Sequence, residues 1–255
     1  MSVLLRTREN TIEILTLNRP EQRNALDSAL MAALGQALDD IAQDDSIRVV
    51  VLAASGDRAF CSGMDLKDFS DAQPDGRPRS SHSLDALLDG RYPKPVIAAV
   101  NGAAVAGGFE LVLGCDLVVA ATHARFGIPE VRHGLFAPGG GVLLPVRVPL
   151  AIALEMGLTG KLIDASRARE LGLVNHVVEP EDVLGKALAL GLLIGTNAPL
   201  AVAATKMLMW TCARDGAREV RARAESAMIQ VFDSEDAQEG ARAFIEKRLP
   251  EWKGR

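Results

Sequence analysis

The sequence predicts an α/β fold in which short buried strands alternate with helices before a helical tail. Three observations carry that prediction. Residues 49–53, 96–100 and 116–121 are short runs almost entirely of Val, Ile, Leu and Ala; strands of this kind pair in parallel with both faces covered. Leu26, Leu30, Leu34, Leu38 and Ile41 recur at three- and four-residue spacing, the apolar face of an amphipathic helix. Beyond Glu179-Pro180-Glu181 strand signals become rare and helical patterns follow one another.

Taken in order, residues 3–5 and 11–17 flank a Glu9-Asn10 turn and predict a hairpin. The helix bearing Leu26 to Ile41 follows, then the strand at 49–53. Ala59-Phe-Cys-Ser-Gly63-Met64-Asp65-Leu66 places a glycine turn after a buried strand, with residues 65–67 opening a short helix. Residues 70–82 are polar and carry Pro and Gly, the composition of a surface loop; lid and plain insertion are both open readings. Gly107-Gly108 starts an apolar helix after the 96–100 strand, and Pro129 interrupts a strand-like run at 126–130. Helices are expected at 183–194, 199–212, 217–232 and 235–248, with Pro199 tolerated in a first turn. The organisation read from this is a core over residues 1–195 and a helical region over 196–255. That region packs on the core or on a neighbouring subunit.

Composition narrows the function classes. The chain has 255 residues and a formal net charge of -5, an acidic balance that argues against nucleic-acid or anionic-membrane partners. Three cysteines without a metal-ligand spacing imply no metal centre and a reduced, cytoplasmic compartment. The first residues lack a secretory apolar core, and no apolar run is long enough for a membrane span.

The chemistry concentrates at two glutamates. Glu110 lies just inside the helix opened by Gly107-Gly108, and Glu130 follows Pro129. The first N–H groups of a helix lack intrahelical partners, and glycine lets a ligand approach them. Gly63 followed by Met64 offers a second such N–H. Two amides on one carbonyl oxygen, with two carboxyls nearby, describe a site for enolate chemistry. The same residues also have plain readings: glycine turns end strands, and a glutamate in a first helical turn complements the dipole.

The order of segments is more specific. Leu17-Asn-Arg-Pro-Glu-Gln-Arg23-Asn24-Ala25-Leu26, the 59–66 segment, Pro93-Lys-Pro-Val-Ile-Ala-Ala-Val-Asn-Gly102, Gly107-Gly-Phe-Glu-Leu111, Cys115-Asp116, Phe126-Gly-Ile-Pro-Glu130 and Gly139-Gly-Gly141 occur in sequence. This closely resembles the crotonase superfamily of enoyl-CoA hydratases and isomerases, over nearly the whole chain. The resemblance implies a crotonase-like spiral of ββα repeats with a helical C-terminal trimerisation region, assembling as a homotrimer or a dimer of trimers. It implies an acyl-CoA thioester substrate and an oxyanion hole made by the Met64 and Gly107 N–H groups. Glu110 would activate water and Glu130 would exchange a proton with the α carbon. Arg23, Ala25, Met64, Asp65, Leu66, Lys67 and Gly107 match positions that line the CoA and substrate site. No separate cofactor is implied, since coenzyme A belongs to the substrate.

Cys61, His133 and Gly139-Gly140-Gly141 are given lesser roles: packing, a surface loop, and shaping of the acyl pocket. The chain departs from the family pattern at Met64, where alanine is common, and at Ala106, where glycine is common; Phe109 is expected to crowd Glu110. The leading expectation is hydration of a trans-2-enoyl-CoA to a 3-hydroxyacyl-CoA. The alternatives are double-bond isomerisation, dehydration of a polar acyl-CoA such as carnitinyl-CoA, and a non-catalytic acyl-CoA- or RNA-binding protein with this fold.

Overall fold

The N-terminal hairpin, in a computed structural model that describes residues 2–65 and 81–255, is longer than its apolar pattern indicated. Strand β1 (Leu4–Glu9) pairs antiparallel with β2 (Ile12–Leu17) along its full length. Asn10 takes the left-handed conformation at the turn, φ 54°, which asparagine tolerates. Only Leu4 of β1 is buried, whereas β2 is buried almost throughout. Strand β1 is thus a sheet edge whose polar side chains hid it from hydrophobic pattern.

The three apolar runs form the centre of the sheet. Strands β3 (Val49–Ala54), β5 (Val96–Val100) and β7 (Leu117–Ala121) join β2 and β10 (His176–Val178) as parallel neighbours in a six-stranded sheet, ordered β1-β2-β3-β5-β7-β10. Every side chain from Val49 to Ala53 and from Val96 to Val100 is buried. A second sheet of four strands, ordered β4-β6-β8-β9, is built from β4 (Ala59–Cys61), β6 (Ala103–Val105), β8 (Arg125–Gly127) and β9 (Ile163–Asp164). The chain passes from one sheet to the other three times, β3 to β4, β5 to β6 and β7 to β8. That alternation, with helices between passes, is the expected ββα spiral. Strands β4, β6 and β8 run parallel, and Met64, Gly107 and Glu130 each follow the C-terminal end of one of them.

Helix α1 (Ser28–Gln43) buries Leu30, Leu34, Leu38 and Ile41 as its spacing predicts. Leu26 does not belong to it. Asp27 caps the helix by accepting from the Leu30 N–H, and Leu26 instead makes a parallel bridge to Met64. Ser81 caps α2 (His82–Leu88). The remaining helices are α3 (Gly107–Gly114), α4 (Leu144–Arg147), α5 (Leu150–Thr159), α6 (Ala165–Glu170), α7 (Val183–Gly195), α8 (Pro199–Asp215), α9 (Ala217–Phe232) and α10 (Glu235–Glu246). Helix α10 ends two residues early, where Lys247 turns left-handed. Among the described residues no single helix is long and apolar enough to cross a membrane, and no group of three or more His, Cys, Asp or Glu is placed to hold a metal ion.

Asp116 fastens α8 to the sheet. Its carboxylate accepts from the Val96 N–H at 2.7 Å, Lys206 Nζ at 2.7 Å and Trp210 Nε1 at 2.7 Å. The Lys206 side chain is only 8% exposed. Removing one partner of such a pair strands the other charge, at a cost of about 3–5 kcal/mol.

Candidate active site

The site begins with a close approach of two backbones. A Cβ on Gly108 would overlap the Cys61 carbonyl, so glycine alone lets the first turn of α3 rest against the end of β4. Gly63 turns with φ 95°, and a Cβ there would lie 3.2 Å from the Gly107 nitrogen. A Cβ on Gly107 would in turn lie 3.7 Å from the Met64 nitrogen. The two amides named from the sequence therefore share one small space.

Both amides are free to donate. The bridge to residue 26 uses the Gly63 carbonyl, which accepts from Leu26 N–H at 2.8 Å, and the Asp65 N–H, which donates to the Leu26 carbonyl at 3.0 Å. That pairing leaves the intervening Met64 N–H pointing the other way. Gly107 is the first residue of α3, before intrahelical bonding starts. Among the described residues neither N–H has an acceptor.

Ala106 aims the helix. It sits at φ 53°, ψ -131°, a region that side chains with a Cβ rarely enter and that costs on the order of 1–3 kcal/mol. Its carbonyl accepts from both Phe109 and Glu110 N–H groups. Alanine at this position, where glycine is common in the family pattern, is therefore strained. Phe109 is buried against Phe126, ring centroids 5.7 Å apart, and lines no part of the cavity beside Glu130.

The two carboxyls have different surroundings. Glu110 is buried in the first turn of α3, and its Oε1 accepts from the Gly141 N–H at 2.9 Å. A Cβ on Gly139 would come within 3.0 Å of Oε2, so the glycine run closes tightly around this carboxylate. Burial raises the Glu110 pKa, and the Gly141 and Gly139 N–H groups oppose part of that rise. Glu130 stands in the first turn of a 3-10 helix, Pro129–His133. Its Oε2 is buried with no hydrogen-bond partner among the described residues. Burial raises its pKa, the nearby Glu110 charge raises it further, and its own amide and His133 act in the opposite sense. Glu110 is thus the carboxyl held by amides, and Glu130 is the one with an unpaired oxygen.

Glu130 and Gly141 stand on the wall of a cavity of about 290 Å³ whose other lining is apolar. A larger cavity of about 620 Å³, between the Tyr92-Pro93 turn and helices α8 and α9, shares no lining residue with the carboxyl site.

Of the other sequence candidates, Arg23 is exposed in a left-handed turn and Ala25 is buried. The Arg23 carbonyl accepts from Ser62 N–H, which lays this segment alongside residues 62–65. Leu66, Lys67 and the stretch 70–80 lie outside the described residues. Cys61 is buried and its thiol is pushed up to about 12, so it is no nucleophile at neutral pH. His133 is exposed.

Two positioning groups escaped sequence reading. Arg19, 15% exposed, bonds the Ala25 carbonyl, Asp27 at 2.9 Å and Asp65 at 3.2 Å, tying residues 19–27 to the Met64 turn. Buried Asn24 accepts from the Arg19 N–H and donates to the Ser55 and Ala59 carbonyls. Their place in the motif around Leu17 to Leu26 was a signal, but not of whom they contact.

This geometry on an alternating two-sheet spiral defines an acyl-thioester enzyme of the crotonase type. The chain belongs to the enoyl-CoA hydratase/isomerase family, whose model matches residues 7–255. It is 41% identical to a carnitinyl-CoA dehydratase from Salmonella arizonae over the full length of both chains. It is also 41% identical to an enoyl-CoA hydratase from Mycobacterium tuberculosis, covering 99% of this chain and 96% of that one. Among solved structures, an enoyl-CoA hydratase from Mycobacterium tuberculosis superposes with TM-score 0.89 at 42% identity over all of both chains. One from Bacillus anthracis does so with TM-score 0.90 at 31% identity, over 99% of this chain and 100% of that one.

The raised carboxyls have a consequence for stability. Unfolded glutamate titrates near about 4.3, so between that value and its higher folded value Glu110 holds a proton that the unfolded chain has released. Its contribution to stability is present below about pH 4 and is lost as pH rises through the folded value. Glu110→Gln removes this loss while keeping an acceptor for Gly141. The melting temperature of the variant relative to wild type is expected to rise as pH increases from about 4 through the raised titration of Glu110. A difference that stays constant over that range contradicts burial as the dominant influence on Glu110.

Proposed function

We propose that this enzyme reversibly adds water to a trans-2-enoyl-CoA, giving a 3-hydroxyacyl-CoA. The observation that carries this reading is the pairing of an amide-held carboxylate with a carboxyl whose buried oxygen lacks a partner, beside two amides without acceptors. The thioester carbonyl oxygen accepts from the Met64 and Gly107 N–H groups. Glu110 takes a proton from water as its oxygen bonds to the β carbon. The π electrons of the double bond move towards the thioester, and the resulting enolate charge rests on the two amides. Glu130 then gives a proton to the α carbon, and exchange with solvent returns the two glutamates to their starting states. Atoms and charge balance as one added water. An oxyanion donor of this kind is worth about 3–4 kcal/mol in the transition state.

The different surroundings of the glutamates support the division of roles. Donors on Glu110 favour its charged form, the form a base needs, while Glu130 has no such pair of donors and more readily carries the proton. Coenzyme A enters only as part of the substrate. Arg23, on the surface beside the Met64 turn, is a cation offered to its phosphates; the family resemblance gives Ala25, Asp65, Leu66 and Lys67 the same binding role.

The same reading places the enzyme in the cytoplasm, in fatty-acid β-oxidation, as a homotrimer or dimer of trimers. Its division into a core of residues 1–195 and an assembly region of residues 196–255 is supported by apolar side chains left exposed on the late helices. Met209, Phe232 and Phe244 are 67%, 73% and 85% exposed in the single chain, apolar side chains that a neighbouring subunit would cover. Light scattering on the native enzyme is expected to give three or six copies; a stable monomer contradicts this assembly.

Turnover is tested with Glu130→Gln, which keeps the shape but cannot carry the proton. We expect hydration to fall by about 10²–10⁴-fold while CoA-ester affinity changes little. Hydration at near wild-type rate removes Glu130 from the mechanism. With the wild-type enzyme, a product one water heavier than the enoyl ester supports hydration, whereas a product of unchanged mass indicates double-bond isomerisation.

A further inference from the structure

We infer that the acyl group is an uncharged apolar chain extending several carbons past the reacting pair, and that Gly157 sets how far it reaches. The inference rests on the acyl-CoA reading above and concerns what lies beyond the β carbon.

The cavity starts where the chemistry stops. Glu130 and Gly141, the partner of Glu110, stand on its wall, so substrate atoms that continue past the carboxyl pair enter it. Among the described residues Glu130 is its only lining residue with a charged or hydrogen-bonding side chain. The remaining lining includes Val131, Phe136, Val142, Leu154 and Leu158. A volume of about 290 Å³ equals roughly ten water-sized volumes, and a methylene is of similar size. The space therefore suits a chain of several methylenes and is much larger than a single methyl group needs.

A cationic acyl group fits this lining poorly. A quaternary ammonium is held by aromatic faces within about 6 Å or by a carboxylate. Phe136 is the one aromatic residue on the described wall, and it is 67% exposed. The carboxylate within reach is Glu130, which the reaction requires as a proton carrier; a fixed positive charge beside it would hold it ionised. The chain shares 41% identity with a carnitinyl-CoA dehydratase, yet its described cavity lacks what a trimethylammonium group needs.

Gly157 controls the depth. It lies within α5, and of the atoms around a Cβ built there only Ile128 Cδ1, at 3.6 Å, comes within 4 Å. That is ordinary contact, so a side chain can be added without displacing backbone, and it would extend into the space the acyl chain uses.

The test measures binding and turnover separately. Affinities of acetyl-, butyryl- and octanoyl-CoA, which cannot be hydrated, are measured alongside kcat/KM for crotonyl-CoA, trans-2-octenoyl-CoA and the 4-trimethylammonio analogue of crotonyl-CoA. With each buried methylene worth about fourfold, wild type should favour the eight-carbon ester over the four-carbon one by about 10²-fold in both readouts. It should disfavour the trimethylammonium ester relative to trans-2-octenoyl-CoA by at least as much. Gly157→Leu should cut the octenoyl-to-crotonyl ratio at least tenfold, with Gly157→Ala in between, and binding of octanoyl-CoA should weaken in parallel. Equal or better use of the trimethylammonium ester, or a length preference untouched by either variant, overturns the inference. Octanoyl-CoA bound tightly with no water added to any enoyl ester leaves the chain preference standing and overturns the hydratase reading instead.

Discussion

The contact between Gly108 and the Cys61 carbonyl is the constraint on which the site depends. Strands β4 and β6 are parallel neighbours in one sheet; β4 runs into the Gly63 turn and β6 feeds α3, and turn and helix meet only because no Cβ stands between them. Their meeting sets the Met64 and Gly107 amides side by side, with their donors directed away from the backbone bonds that build the turn. The strained Ala106 linkage and the tie from Arg19 to Asp27 and Asp65 hold each half in place. Stability is given up locally so that two hydrogen-bond donors stay unpaired, a pattern expected where a ligand is to complete them.

The same helix that supplies the Gly107 amide carries Glu110, so the two belong to one rigid unit. Glu130 arrives from the next pass of the spiral, on the short helix after β8. Two carboxyls of equal chemistry thereby come to differ: one is wrapped by glycine amides and the other is left with a bare oxygen. Under the proposed mechanism it is this difference in environment, not residue type, that divides acid from base.

Much of this was legible in the sequence, and the illegible part has a common cause. The runs at 49–53 and 96–100 read as buried strands because both faces are apolar, and Leu30 to Ile41 read as a helix because the period is local. Glu110 and Glu130 were visible beside glycine and proline, and their family order gave them roles. What did not show were contacts between distant segments. Nothing local in Gly139-Gly140-Gly141 announces that its amides hold a carboxylate some thirty residues earlier, or that Asp116 meets Lys206 and Trp210 about ninety residues later. Leu26 looked like the first turn of a helix because its spacing fits; a cap at Asp27 and a partner at Met64 claimed it instead. Ala106 looked innocuous because a backbone dihedral leaves no trace in composition.

The account's central claim is that two unpaired amides polarise the thioester carbonyl before any bond changes. The direct measurement is the carbonyl stretching frequency of a ¹³C-labelled enoyl thioester bound to the Glu130→Gln variant, taken by difference Raman or infrared spectroscopy. Two strong donors predict a clear shift to lower frequency on binding, with electron density drawn from the double bond. A bound carbonyl that vibrates as it does in water would contradict the arrangement of Met64 and Gly107 as an oxyanion hole.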